Sequence, residues 1–239
     1  MSKSTWIELR NKTDLKKPTV IVGSPGLRSI GGLVIDRLIK TLQAKLMAEL
    51  YSIHFPIIYQ TRPSYVSHPK LPGIGGIRIE SGIMDLPKIR FYSNLSPPLI
   101  ITKGYHANFD GQYEVAEKTM DFYKEFKIER IVVVAGYGLE GEEVCCAATK
   151  KEIIDDVRMK YELKVSYEGP FYGFSGIIFG LAEVNGIDAL CLFARTKPKS
   201  ERPDLPDEKA SETLLRKLLS ILDISPSYTD ELGSNFAAK

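Results

Sequence analysis

Thr19-Val20-Ile21-Val22 is a short, continuous, β-branched apolar run that stops at Gly23-Ser24-Pro25-Gly26. It predicts a strand buried on both faces and followed by a tight turn. From Ile30 the period changes: Val34, Leu38, Leu42 and Leu46 recur at every fourth residue, with Ile35 and Ile39 beside them. That is the broad stripe of a helix laid on a sheet. Strand, glycine turn and helix together are the repeating unit of an α/β domain.

Downstream of this unit, residues 51–102 read as strands: 53–58, Ile77-Arg78-Ile79, Ile89-Arg90-Phe91-Tyr92 and Leu99-Ile100-Ile101-Thr102, separated by Pro/Gly turns. Pro56 makes the first of them an edge or irregular strand. Residues 62–76 carry Pro63, Pro69, Pro72 and three glycines, the composition of a long surface loop kept for a contact. A helix is expected over 112–126, with Val115, Ala116, Met120, Tyr123 and Phe126 on one side. Ile131-Val132-Val133-Val134 then repeats the buried-strand pattern and ends in Gly136-Tyr137-Gly138.

A strand over 144–149, a helix over 151–161, a glycine- and aromatic-rich stretch from Gly169 to Gly176, an apolar run over 177–182 and a buried strand over 187–193 follow. The last helix, 207–222, presents Leu214, Leu215, Leu218 and Leu222. Residues 1–18 form a polar N-terminal segment, 19–222 a single α/β domain and 223–239 a tail. Buried strands alternating with amphipathic helices give a three-layer αβα fold with a mainly parallel sheet. Sites in such folds form at the carboxyl ends of the strands, where both glycine turns fall. Gly23, Ser24, Gly26, Arg28, Gly136 and Tyr137 are therefore the ligand-loop candidates.

Composition narrows the function. At 239 residues the chain can bury a sizeable core without disulfide or metal. Cys145, Cys146 and Cys191 lack ligand or redox spacing and read as buried free thiols. The net charge is +2 with both signs interspersed, so nucleic acid is not an expected partner. No apolar run is long enough for a membrane span, and the N-terminus lacks the layout of a secretory signal, which points to the cytoplasm. Only three Gln and five Asn accompany abundant Lys and Glu, a composition that fits a thermophilic source.

Chemical motifs are few. Gly26 to Gly31 has the outer spacing of a phosphate-binding loop, but Gly32-Leu33 stands where Lys and Ser/Thr are required. Pro25 also removes one backbone N–H from any anion cradle. His54, His68 and His106 are isolated, so no metal or cofactor is expected. Ser175, in Gly173-Phe174-Ser175-Gly176, is not on a nucleophile elbow. Asp110, Glu114, Glu140, Glu142 and Glu143, near strand ends, are the remaining acid–base candidates, and loop acids of this kind are more often solvated than catalytic.

Val20-Ile21-Val22-Gly23-x-Pro25-Gly26 with Gly31-Gly32, then Gly111-Gln112-Tyr113, then Val132 to Gly136-Tyr137, form an ordered series. It continues through Gly169 to Ala182, Gly186 to Leu192 and Arg195-Thr196. In this order and spacing the chain resembles the archaeal proteasome-assembly-chaperone family, from about Thr19 to Leu222. The resemblance implies a fold similar to purine nucleoside phosphorylases without their catalytic residues, a symmetric homo-oligomer, no enzymatic activity, and help in assembling the α-subunit ring of the 20S proteasome. Family members that dock on that ring often end in a hydrophobic residue, a tyrosine and one more residue. Here the end is Phe236-Ala237-Ala238-Lys239, so direct tail docking is not expected. An oligomer presenting loops such as 62–76 and the C-terminal segment to proteasome α-subunits or a second homologue is the leading reading, a nucleoside- or phosphate-binding protein or enzyme of phosphorylase-like fold the second, and a scaffold that assists a tail-bearing homologue the third.

Overall fold

The computed structural model describes residues 4–55, 77–141, 143–164, 167–197 and 205–225. Among these residues ten strands and five α-helices follow in the order β1 (Thr5–Leu9), β2 (Thr19–Gly23), α1 (Ile30–Thr41), β3 (Lys45–Ser52), β4 (Arg78–Glu80), β5 (Ile83–Asp85), β6 (Ile89–Leu95), β7 (Pro98–Lys103), α2 (Gln112–Glu125), β8 (Arg130–Tyr137), β9 (Val144–Ala148), α3 (Lys151–Tyr161), α4 (Gly173–Val184), β10 (Ala189–Arg195) and α5 (Glu208–Ile221). Eight strands form one sheet in the order β1-β3-β6-β7-β2-β8-β10-β9, and β4 and β5 make a separate hairpin.

Three layers result. On one face, Ile21, Ile101, Val132, Val134 and Leu192 pack under α1, α3 and α5; on the other, Val20, Val22, Ile100, Ile131 and Val133 pack under α2 and α4. Alternation along a strand sends successive residues to opposite faces, so a strand covered by helices on both sides must be apolar throughout. The run that opens the domain meets that condition: Val20, Ile21 and Val22 are all inaccessible to solvent. Each such side chain contributes about 1.5–3 kcal/mol through burial.

The sheet is mixed, which corrects the expectation of a mainly parallel one. Ladders β7–β2, β2–β8 and β8–β10 are parallel, whereas β1–β3, β3–β6, β6–β7 and β10–β9 are antiparallel. A doubly covered strand is apolar whatever its direction, so hydrophobic runs carry no record of the pairing. The short turn between β6 and β7 admits only an antiparallel pair.

Three element readings also change. The helix does not reach Leu46: Gln43 adopts φ 49°, and the N–H of Ala44 bonds the carbonyl of Ile39, closing the helix in a left-handed cap. Glycine or asparagine usually marks that position, so glutamine hid the stop. The strand expected over 53–58 lies instead at Lys45–Ser52, and Ile53 and Phe55 follow it in a turn, with 56–58 outside the described residues. Residues 5–9, placed in the polar N-terminal segment, are the edge strand β1, paired with β3 from Thr5↔Ser52 to Leu9↔Ala48. The loop expected over 62–76 and most of the tail, from residue 226, lie outside the described residues.

Edge strand β1 is held on α2 by a polar cluster. The Glu114 carboxylate accepts hydrogen bonds from Ser4 Oγ at 2.6 Å, Thr5 Oγ1 at 2.5 Å and His54 Nε2 at 3.1 Å. The serine and threonine hydroxyls hold this carboxyl below its ordinary value, and His54 adds to the effect. A depressed carboxyl stabilises above its unfolded value of about 4.3 and ceases to do so as pH falls through the folded value. Glu114 is partly solvated, so screening reduces its worth. Glu114→Ala is expected to cost about 1 kcal/mol in urea unfolding at neutral pH, a deficit that shrinks progressively as pH falls below about 4.

Candidate functional site

The approach of β2, α1 and β8 fixes the site. A Cβ on Gly23 would lie 2.6 Å from the Gly31 carbonyl oxygen and 2.9 Å from a Val134 methyl, and one on Gly31 would lie 2.6 Å from the Val134 carbonyl oxygen. Only glycine lets the three backbones meet here, which gives the first glycine turn a structural reason. Beyond this contact a cavity of about 520 Å³ opens at the carboxyl ends of β2 and β8, roofed by residues 167–173 and the start of α4.

Of the sequence candidates, Ser24, Gly26, Gly136 and Tyr137 line this cavity. Gly136 and Tyr137 do so from within β8, not from a loop after it. Gly23 lies beneath it, in the backbone contact. Arg28 is not among the lining residues. It is buried, with its Nη1 donating to Asp207 Oδ2 at 2.7 Å and Thr196 Oγ1 at 3.0 Å, and its Nε donating to the Leu205 carbonyl at 2.9 Å. Asp207 in turn caps α5 by accepting from the Ala210 N–H. The arginine is a tie between the first turn and α5.

His106, Ser175, Tyr167 and Phe171 also line the cavity, although none of them was a ligand-loop candidate. Ser24 and Ser175 are 7% and 4% exposed, and their hydroxyls lie 2.9 Å apart. Burial lowers the His106 imidazole below its ordinary value, only partly opposed by a hydrogen bond to the Pro25 backbone, so the ring is neutral at pH 7. Tyr167 stacks on Phe193 at 4.2 Å and 8°, with Tyr137 at 4.8 Å on centroids, and Phe171 packs against Phe193 at 5.0 Å. Of these rings only Phe171 lies in the glycine- and aromatic-rich stretch from Gly169 to Gly176.

The acid candidates do not converge. Glu114 belongs to the β1 cluster, Glu140 pairs with Lys197, and Glu143 pairs with Lys164 and Arg195. Glu142 lies outside the described residues. The cysteines are buried and free, as the sequence implied, and burial pushes the Cys146 thiol up to about 11. Among the described residues no group of His, Cys, Asp and Glu is placed to hold a metal, and no helix is long and apolar enough to cross a membrane.

Comparison with known proteins bears on the whole fold. A Methanocaldococcus jannaschii protein, MJ1210, is 24% identical over 231 residues, covering 94% of this chain and 81% of its own. The crystal structure of Pyrococcus furiosus PbaB, an archaeal proteasome activator, superposes with a TM-score of 0.79 at 27% identity, covering 99% of this chain and 97% of that one. Pyrococcus furiosus PbaA, an archaeal homolog of proteasome-assembly chaperone, gives 0.72 at 19% identity over 96% and 92% of the two chains. The PAC2 family model matches residues 20–235, and the chain belongs to the PAC2 family.

Proposed function

We propose that the chain is a non-enzymatic proteasome assembly chaperone or scaffold, acting in the cytoplasm as a homo-oligomer through contacts with 20S α-subunits or a second assembly-chaperone homologue. The β4–β5 hairpin carries this reading. Its register, Ile79↔Met84 flanked by Arg78↔Asp85, puts Ile77, Ile79, Met84 and Leu86 on one face. Ile79 and Met84 are 74% and 57% exposed, and Ile83 on the other side is exposed as well. A two-stranded hairpin gains little stability alone, and a contiguous apolar face left in water marks a protein contact. The descriptions of PbaB and PbaA supply the kind of partner.

The test is size-exclusion chromatography with light scattering, on the chain alone and mixed with recombinant α-subunits or with a PAC2 homologue. A co-eluting complex is expected, and the double substitution Ile79→Asp, Met84→Asp is expected to abolish it while moving stability by no more than about 0.5 kcal/mol, as for other exposed positions. Wild-type protein that elutes unchanged beside every such partner would remove the proteasome part of the proposal.

The cavity supports a second reading, the nucleoside- or phosphate-binding protein of phosphorylase-like fold. Its lining weighs against the phosphate part: among the described residues no Lys or Arg faces it, and Glu168 is its one charged side chain.

A further inference from the structure

The polar groups of the cavity leave a definite hydrogen-bonding remainder. Ser24 and Ser175 each bring one O–H, and among the described residues their only hydrogen bond is the one they share. One proton serves that bond, so the pair presents one further donor, in a place almost closed to water. A buried donor without an acceptor costs stability unless something satisfies it. His106 is complementary: in the neutral imidazole one ring nitrogen carries the proton and the other is an acceptor. Gly173 brings α4 against this ring, where a Cβ would sit 3.5 Å from His106 Cε1.

Among the described residues the rest of the lining is uncharged apart from Glu168, and consists of glycine, proline and aliphatic residues with four aromatic rings. Tyr137, Tyr167 and Phe171 supply ring surface, and Tyr172, 80% exposed, stands at the rim. A donor and an acceptor beside aromatic rings match a planar molecule carrying adjacent C=O and N–H groups, which also offers a π-face for stacking. The volume of about 520 Å³ lies within the roughly 300–1,000 Å³ of small-molecule sites. Among the described residues a phosphoryl group would meet Glu168 and no cation.

We infer that this cavity is a binding site for a neutral heteroaromatic ligand of the nucleobase or nucleoside class, held by the Ser24–Ser175 pair and His106 and stacked by the tyrosines. The inference deepens the second reading, narrows it by excluding phosphate, and does not depend on the proteasome contact.

Full-length protein is titrated with hypoxanthine, inosine and uridine at millimolar concentration, with inosine monophosphate and inorganic phosphate as charged controls. Melting temperature and saturation-transfer NMR are the readouts. A concentration-dependent rise in melting temperature is expected with at least one neutral probe and a smaller one with the monophosphate. Tyr172→Ala, at an exposed position, is expected to weaken binding about 5-fold or more, and Ser175→Ala about 3–10-fold. No response to any neutral probe would overturn the inference, as would tighter binding of the monophosphate. A shift that Tyr172→Ala and Ser175→Ala both leave intact would place the ligand elsewhere and overturn it too. A response to inorganic phosphate alone would restore the phosphate reading at its expense.

Discussion

Replacing Arg28 with alanine is expected to lower the melting temperature by about 6–20 °C, the equivalent of about 3–5 kcal/mol in a domain of this size. The residue is 7% exposed, and its guanidinium reaches a carboxylate, a hydroxyl and backbone carbonyls. Removing it takes a cation from the half-buried Asp207 carboxylate and leaves the carbonyls of Leu205 and Pro206 without this donor. Arg28→Lys should fall between alanine and wild type, because an ammonium keeps the charge but not the planar fork. Combining Arg28→Ala with Asp207→Ala should cost less than the two separately, since each single change already breaks the shared bond. Thermal unfolding of the wild type and the four variants checks this, and an Arg28→Ala variant that melts with the wild type would show that the network adds nothing. Pro25, Gly26 and Leu27 line the cavity immediately before Arg28, so the same variant should also bind any cavity ligand less tightly.

What the sequence discloses here depends on how local the cause is. The strand over 19–22, the turn after it and α5 with Asp207 at its head were legible, because burial on both faces, backbone crowding and helix capping each act within a few residues. The tie made by Arg28 was hidden for the opposite reason: its partner lies 179 positions away, and no local pattern shows that a turn arginine meets a helix cap at the far end of the chain. Gln43 concealed the end of α1 and so concealed β3. The cavity was half legible. Glycines that crowd backbones point to strand ends, but the Ser24–Ser175 pair joins residues 151 apart, and His106 had no companion in sequence. Hairpin β4–β5 was read only as Ile77-Arg78-Ile79, because its exposed apolar face has the same alternation as a strand that faces a core.

Glu49→Ala is expected to cost about 3 kcal/mol, or about 6–12 °C in melting temperature, although glutamate in a strand ordinarily signals a solvated face. This one is 4% exposed. Its carboxylate accepts from Arg10 Nε at 2.6 Å and the Tyr51 hydroxyl at 2.9 Å and pairs with Lys88 Nζ at 2.8 Å, while Asp85 takes Lys88 and Arg90 from the other side. The network ties β3 and β6 to the last residue of the hairpin, so its loss should loosen the face proposed to meet a partner and weaken that complex as well. Desolvation pushes the Glu49 carboxyl up, but the hydrogen bonds from Lys88, Arg10 and Tyr51 outweigh it and hold the group below its ordinary value. Asp85 is lowered in the same way by Lys88 and Arg90 against its own burial. For carboxyls depressed on folding, the stabilisation is complete above the unfolded values of about 4 and is lost as pH falls through the lower folded ones. Glu49→Gln keeps the shape and cannot titrate, so its deficit against wild type should be full at pH 7 and shrink steadily on acidification below about pH 4. Urea unfolding of both proteins across that range separates the causes: a deficit that vanishes with acid belongs to the carboxylate charge, and one that persists belongs to the packing of the side chain and would refute the electrostatic account of the hairpin's anchor.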